Sequence, residues 1–238
     1  MTSYKATYDG KCINIVYQIG KTYTFDGELV MCHQGFHFCK EMKDVFNYYK
    51  PKKGIKVYEI EVLGNVIDDD INKSVTDKFR VMREMDVSEW VKFDDNGNVI
   101  YSKDSNGIKY WYKYNENGNE IHYKDSTGNE YWYKYDEKGN LIYYKDSNGF
   151  EYWYEFDENG NKIHYKDSDG KEHWHEYDDN GNEIYSKDSY GYESWSEYDK
   201  NGNVIHYNNS IGNEYWKEYD DNGNEIHYKD SHGIERWN

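Results

Sequence analysis

The sequence predicts a mainly β fold: a small α+β domain over residues 1–89, then an elongated antiparallel β-meander of seven 21-residue units over residues 90–238, a coiled sheet or open shell. Three observations carry this reading. All eight tryptophans fall on one series, Trp90, Trp111, Trp132, Trp153, Trp174, Trp195, Trp216 and Trp237, each 21 residues after the last. Glycines recur in the same frame, at 97, 118, 139, 160, 181, 202 and 223, and again at 107, 128, 149, 170, 191, 212 and 233. Only 36% of residues are hydrophobic while 19% are aromatic, so order must come from aromatic strands rather than from a large aliphatic core. A fixed period of this kind marks a repeat architecture, in which each unit is one supersecondary element stacked on the next.

Residues 1–89 carry no repeat and hold the only proline, Pro51. Their β-prone runs predict strands over residues 12–17, 22–25, 29–32 and 36–39, a short helix over 43–49, and strands over 56–63 and 78–85. Gly64 and Asn65 read as a turn, and Asp68, Asp69 and Asp70 as a loop. Residues 86–90 run straight into the first repeat, which predicts two parts packed end to end.

Each repeat reads as two short strands. Tyr131, Trp132, Tyr133, Lys134 and Tyr135 form an aromatic β-prone run, as do Leu141, Ile142, Tyr143 and Tyr144. Between them, Asp136 to Asn140 is an Asn-Gly-like turn in which φ above zero is required, and a second Asp-Ser-x-Gly turn follows each unit. Alternation of strand and turn predicts about fourteen strands in up-and-down order. Isoleucines recur ten residues after each of the first seven tryptophans, and an aromatic three residues after, as Tyr135 follows Trp132. In a regular strand Trp132 and Tyr135 face opposite ways, so either both faces are packed or a bulge intervenes. Recurrent tryptophan at fixed phase is expected in the core. Histidines at 122, 164, 206 and 227 alternate with tyrosines at 101, 143 and 185 as a partly exposed cross-strand row.

The formal charge of −17 is unevenly spread. Residues 1–89 hold 13 Lys/Arg against 14 Asp/Glu, whereas residues 90–238 hold 16 against 32. Such a field repels nucleic acid and anionic membrane and draws in basic protein surfaces, so no direct nucleic-acid binding by the repeats is expected. No run approaches the roughly 20 apolar residues of a membrane span, and the amino terminus carries no secretion-signal pattern. Cys12, Cys32 and Cys39 are an odd set confined to the first domain, which suits a reducing, cytoplasmic setting over a disulfide framework.

The densest chemistry is Cys32, His33, His37 and Cys39, two thiols and two imidazoles within eight residues that could meet a zinc ion in a tight hairpin. On a strand, His37 and Cys39 share one face and Phe36 and Phe38 the other, and buried cysteine with ordinary histidine is the expected reading. The acidic turns invite a calcium reading, but the glycine spacing and the missing bidentate glutamate leave turn chemistry as their explanation. No Gly-rich phosphate loop or Ser/His/Asp set stands out, and no cofactor is predicted.

Tyr135 to Ile142 and Tyr177 to Ile184, with tyrosine, aspartate, two residues, glycine and a following strand, resemble the YD repeats of Rhs-type proteins. The likeness covers residues 90–238 and implies strand geometry without a catalytic residue; in that family long arrays wrap into a shell around a toxic cargo. Gly35 to Phe38, followed by Asp44 to Tyr49 and Val57 to Val62, faintly resembles the middle of bacterial ADP-ribosyltransferase-like domains. That resemblance implies a late glutamate orienting a ribose, with Glu61 or Glu84 as the candidate. Aromatic hairpin repeats also occur in choline- and glucan-binding modules, where Trp and Tyr hold a quaternary ammonium or stack a sugar.

The expected function is a non-catalytic interaction protein whose acidic repeats bind a basic protein surface. Its sharper form is a nucleic-acid mimic of the phage counter-defence kind, inhibiting a nucleic-acid-binding enzyme. Glu155, Glu176, Glu197 and Glu218, each two residues after a tryptophan, are the candidate partner-binding row. The alternatives are an ADP-ribosyltransferase-like enzyme in residues 1–89 with the repeats as targeting arm, and a carbohydrate or choline module.

Overall fold

The computed structural model describes residues 2–12, 15–69 and 72–238. Two sheets account for the chain. The first is built from β1 (Thr2–Tyr8), β2 (Lys11–Cys12), β3 (Ile15–Val16), β4 (Thr22–Thr24), β5 (Phe36–Cys39), β6 (Ile55–Val62), β7 (Val66–Asp68), β8 (Lys73–Thr76) and β9 (Lys78–Glu84). Its order is β4-β9-β6-β1-β5-β8-β7, with β2 against β1 and β3 against β2. One helix, α1 (Met42–Val45), packs beside β1 and β5.

The central strand β1 is buried on both faces, and this splits the core in two. Ser3, Lys5 and Thr7 alternate onto the side where Tyr17, Tyr23, Phe36, Phe38, Tyr58, Ile60, Phe79 and Val81 form the larger cluster. Ala6 turns the other way, to Cys39, Val45 and Val57 beneath α1. The expected split of β5 is found: Phe36 and Phe38 enter the larger cluster and Cys39 the smaller.

Several expectations for this region need correction. The sequence predicts no element over residues 2–8, where Lys5 interrupts the apolar pattern, yet β1 pairs with β6 over seven residues. Residues 29–32 form no strand: Val30 bridges Gln34 in a tight turn, and Cys32 takes a left-handed φ of 65°. The helix stops at Val45, with single turns continuing to Tyr49. Val66–Asp68 and Lys73–Thr76, where the sequence predicts no strand, pair as a hairpin, which takes Asp68 out of the expected loop. Ile13, Asn14 and Asp70, which fall in predicted elements, lie outside the described residues.

Packing divides the chain into two compact units, Met1–Glu130 and Tyr131–Asn238. The first therefore takes in repeats as well as the first sheet. Phe46 stacks on Trp90 at 5.4 Å and 15°, and Ser105 Oγ donates to Asn47 Oδ1 at 2.7 Å.

The repeats give fifteen strands, Val91–Phe93 to Glu235–Trp237, antiparallel in chain order. The fifteenth arises because Glu235–Trp237, after the last glycine turn, pairs as well. A bulge answers the Trp132/Tyr135 question: in the Trp-bearing strands the register shifts between the second and third residues after tryptophan, as between Lys134 and Tyr135 and between Glu155 and Phe156.

The turns are not the two-residue kind in which Asn and Gly both take φ above zero. Gly139 N–H donates to Asp136 O and Asp136 N–H to Asn140 O, while only the glycine is left-handed, at 89°. This is a three-residue loop ending in a glycine bulge, which explains why Lys138 serves as well as Asn before the glycine. The second turns use the same bonding, as from Gly149 to Asp146 and Asp146 to Phe150.

Beyond Val91 no described hydrophobic residue is fully buried. Trp153, Trp195 and Trp216 stay 38%, 39% and 37% exposed, so the expectation of core tryptophans fails.

Candidate interaction face and first-domain cleft

Alternation along a strand decides which side chains share a face with tryptophan. In Glu151–Phe156, the residues Glu151, Trp153 and Glu155 point one way and Tyr152 and Tyr154 the other. The tyrosine side is a ladder of rings: Tyr144 stacks on Tyr152 at 4.8 Å, and Tyr154 meets Tyr165 at 5.4 Å. The ladder breaks where serine replaces tyrosine, and Ser186 and Ser194 share a 2.7 Å hydrogen bond instead.

On the tryptophan side the indoles from Trp153 to Trp216 are each paired with a ring of the preceding strand. Tyr143 lies 5.6 Å from Trp153, His164 stacks on Trp174 at 5.3 Å, Tyr185 lies 5.5 Å from Trp195, and His206 stacks on Trp216 at 5.1 Å. The alternating His/Tyr row thus packs against the tryptophans, partly exposed as expected.

Two carboxylate rows flank the indoles, and they differ. In the row two residues before tryptophan, lysine neutralises Glu151 from Lys145 at 2.5 Å, Glu172 from Lys166 at 2.6 Å and Glu193 from Lys187 at 2.8 Å, while Glu214 meets His206 at 2.9 Å. The lysine hydrogen bonds hold those three carboxyls below their ordinary pKa. The row two residues after tryptophan is the predicted one. Glu155, Glu197 and Glu218 keep 68%, 70% and 62% of their side-chain surface in solvent, and their nearest ring nitrogens are His164, His206 and His227 at 3.3–3.4 Å. Glu176 is exposed opposite Tyr185.

A feature of that row escaped the sequence reading. The same phase carries Lys92, Lys113 and Lys134 in the first three repeats and switches to glutamate from Glu155 onward. Tabulating the residue two after each tryptophan would have shown it. Lys134 lies over the Tyr143 ring, 5.0 Å from its centre, where Glu155 faces His164.

The turn aspartates are occupied. Asp136 Oδ1 accepts the backbone N–H groups of Lys138 and Asn140, and Oδ2 accepts the Asn140 side-chain amide. These bonds, the amide above all, depress its pKa, and turn chemistry accounts for the carboxylate that the calcium reading would use.

In the first domain the candidate residues are dispersed. Glu61 faces Arg80 at 3.6 Å and Glu84 bonds Lys56 at 3.0 Å, both on exposed sheet surface. Cys32 Sγ accepts from Lys73 Nζ at 3.0 Å, and the Cys32 backbone N–H donates to His37 Nε2 at 2.7 Å. His33 is exposed, whereas Cys39 is buried and burial pushes its thiol up to about 12. The described residues hold no cluster of three or more His, Cys, Asp or Glu disposed to bind a metal ion, and Lys73 stands where such an ion would meet Cys32.

Beside this segment lies a cleft of about 490 Å³ that includes Lys5, Tyr17, Phe25, His33, His37 and Tyr49. Gly35 shapes its wall: at φ 100°, a Cβ there would stand 2.6 Å from Leu29 and Val75. Sequence reasoning missed Lys5, since it assigned no strand to residues 2–8.

Residues 1–93 match a family model described as a domain of unknown function (DUF7666), which assigns no activity. No curated protein matches the chain. Solved structures do, and those compared are Tc toxin assemblies. A Photorhabdus luminescens Tc holotoxin pore with a TccC3 variant is similar at 14% identity and a TM-score of 0.43 over 74% of this chain and 10% of that one. A TcdB2-TccC3-Cdc42 crystal structure, and one of TcdB2-TccC3 without its hypervariable C-terminal region, each give 15% identity, a TM-score of 0.44 and the same coverage. The chain spans about a tenth of the length of these structures.

Proposed function

We propose that this chain is a non-catalytic interaction protein whose acidic repeats bind a basic protein surface through Glu155, Glu176, Glu197 and Glu218. The observation that carries the reading is the contrast between the two rows. In one, Glu151, Glu172 and Glu193 are quenched by lysine at 2.5–2.8 Å, while the other projects into solvent beside half-exposed indoles. A carboxylate row next to exposed aromatic surface suits Arg and Lys on a partner, because guanidinium and ammonium groups gain from both. Carboxylates recurring every second strand stand about 10 Å apart. Duplex DNA shows roughly six phosphates over that span, so a protein surface fits this row better than close mimicry of nucleic acid.

The test is a comparison of two charge-equivalent variants against the protein captured from the native host. One reverses the four row glutamates to Lys; the other reverses the exposed turn acids Glu137, Glu158, Asp179 and Asp221. The row variant should lose at least about tenfold in affinity, mainly through slower association, and the turn variant much less. Equal losses would mean that bulk charge binds, and no loss would remove the row from the interface. Displacement of the partner by duplex DNA would revive the mimic form of the reading.

The half-exposed tryptophans favour a second reading, a glycan module, since sugars stack on indole faces. Retention on a glucan or choline resin that Trp174→Ala and Trp195→Ala abolish would establish it; flow-through of the wild-type chain would end it.

A further inference from the structure

In a chain with 46 Asp and Glu against 29 Lys and Arg, the first-domain cleft stands apart. Among its described lining residues there is no carboxylate. Three basic side chains, Lys5, His33 and His37, share it with the rings of Tyr17, Phe25 and Tyr49.

Lys5 is the unusual member. It rises from the central strand with only 3% of its surface exposed, its Nζ donating to the His37 carbonyl at 2.5 Å and lying 5.8 Å from the centre of the Tyr17 ring. An ammonium held out of water keeps more of its field than one on the surface, because less solvent screens it. Burial lowers the pKa of His37, and Lys5, Lys73 and His33 add to the effect. With Nε2 accepting the Cys32 N–H, neutral His37 carries its proton on Nδ1 and can donate only from there.

The size and lining match a small-molecule site: a concavity of several hundred Å³, walled by aromatic rings, with a few convergent polar groups. We propose that this cleft binds a small aromatic anion, its acidic group set against Lys5 and His33 and its ring held among Tyr17, Phe25 and Tyr49. The rest of the chain repels anions, so such a ligand has reason to collect at this cleft. The inference is independent of the repeat surface.

The full chain can be titrated with 8-anilinonaphthalene-1-sulfonate and, separately, with its uncharged analogue N-phenyl-1-naphthylamine, reading dye fluorescence. The sulfonate should saturate one site and bind about tenfold or more tighter than the amine, since the charged contact is worth that much in a poorly hydrated cleft. Lys5→Met, which keeps the aliphatic stem, should erase the difference between the dyes. His33→Gln should reduce it, and Lys138→Met on a distant turn should leave it unchanged. Equal binding of both dyes by the wild-type chain would overturn the proposal, as would full retention of the sulfonate by a folded Lys5→Met protein. Should Lys5→Met fail to fold, the two-dye comparison on the wild-type chain and on His33→Gln decides the matter alone.

Discussion

Phe79, in the first sheet, is wholly buried among Tyr17, Tyr23 and Phe36, whereas Trp153, in the repeats, keeps 38% of its surface in solvent beside Tyr143. Both are large aromatic residues on antiparallel strands. The first sheet removes apolar surface from water on both sides of its central strands, so its stability is concentrated in few residues. The repeats lack such a centre and draw on many small contributions: stacked cross-strand rings, lysine–glutamate pairs and self-bonded turns. A partner-binding face is compatible with the second arrangement because its aromatic side chains were never withdrawn from the surface.

The largest effect follows from that contrast. Phe79→Ala should cost about 3–5 kcal/mol, the range for truncating a buried Phe or Trp, and lower the thermal midpoint of the first sheet. Trp153→Ala should cost about 1 kcal/mol or less, the scale of cross-strand pairs. Urea denaturation of both variants checks the order, and equal costs would show that the indoles are packed more deeply than their exposure implies.

A middling effect belongs to the turns. Gly160 sits at φ 89° with nothing within 4 Å of where a Cβ would point, so Gly160→Ala meets no steric neighbour and strains only the backbone. A cost of about 1–2 kcal/mol is expected from the left-handed conformation, against almost none for Asn159→Ala. Equal thermal melts of the two variants would mean that the glycine bulge is not what closes the hairpin.

How far the sequence disclosed this molecule depended on repetition. Trp132, Gly139 and Ile142 recur often enough that strand, turn and order could be read from the spacing alone. What repetition left open was geometry: the bulge after Lys134 and the solvent exposure of Trp153 depend on hydrogen-bond register and on layers, which a period does not encode. The first domain has one copy of everything. β1 was lost because Ser3, Lys5 and Thr7 are polar residues pointing inward, and Val66–Asp68 was lost because its exposed apolar residues follow a Gly-Asn turn. The candidate row of glutamates was visible, and its lysine counterpart at Lys92, Lys113 and Lys134 could have been read from the same phase, but the neutralised row beside it needed the pairing.

The smallest effect has a pH signature. Asp157, Asp178, Asp199 and Asp220 each accept the side-chain amide of the asparagine four residues on, together with backbone N–H groups, and these bonds hold their carboxyls below the ordinary range. A carboxyl depressed in the folded state stabilises the fold fully above its unfolded pKa of about 3.9, and that contribution is lost as pH falls through the folded value. Asp→Asn at all four positions keeps an acceptor oxygen but removes the titration. It also removes four negative charges, so the comparison belongs near 1 M salt, where the screening length is about 3 Å and long-range repulsion is suppressed. Under those conditions the wild-type repeats should melt higher than the variant from pH 7 down to about 4, and the difference should shrink toward zero below that. Because these aspartates are only partly buried, the shift per site should be smaller than that of Gly160→Ala. A difference independent of pH would mean that the turn carboxylates act only as hydrogen-bond geometry.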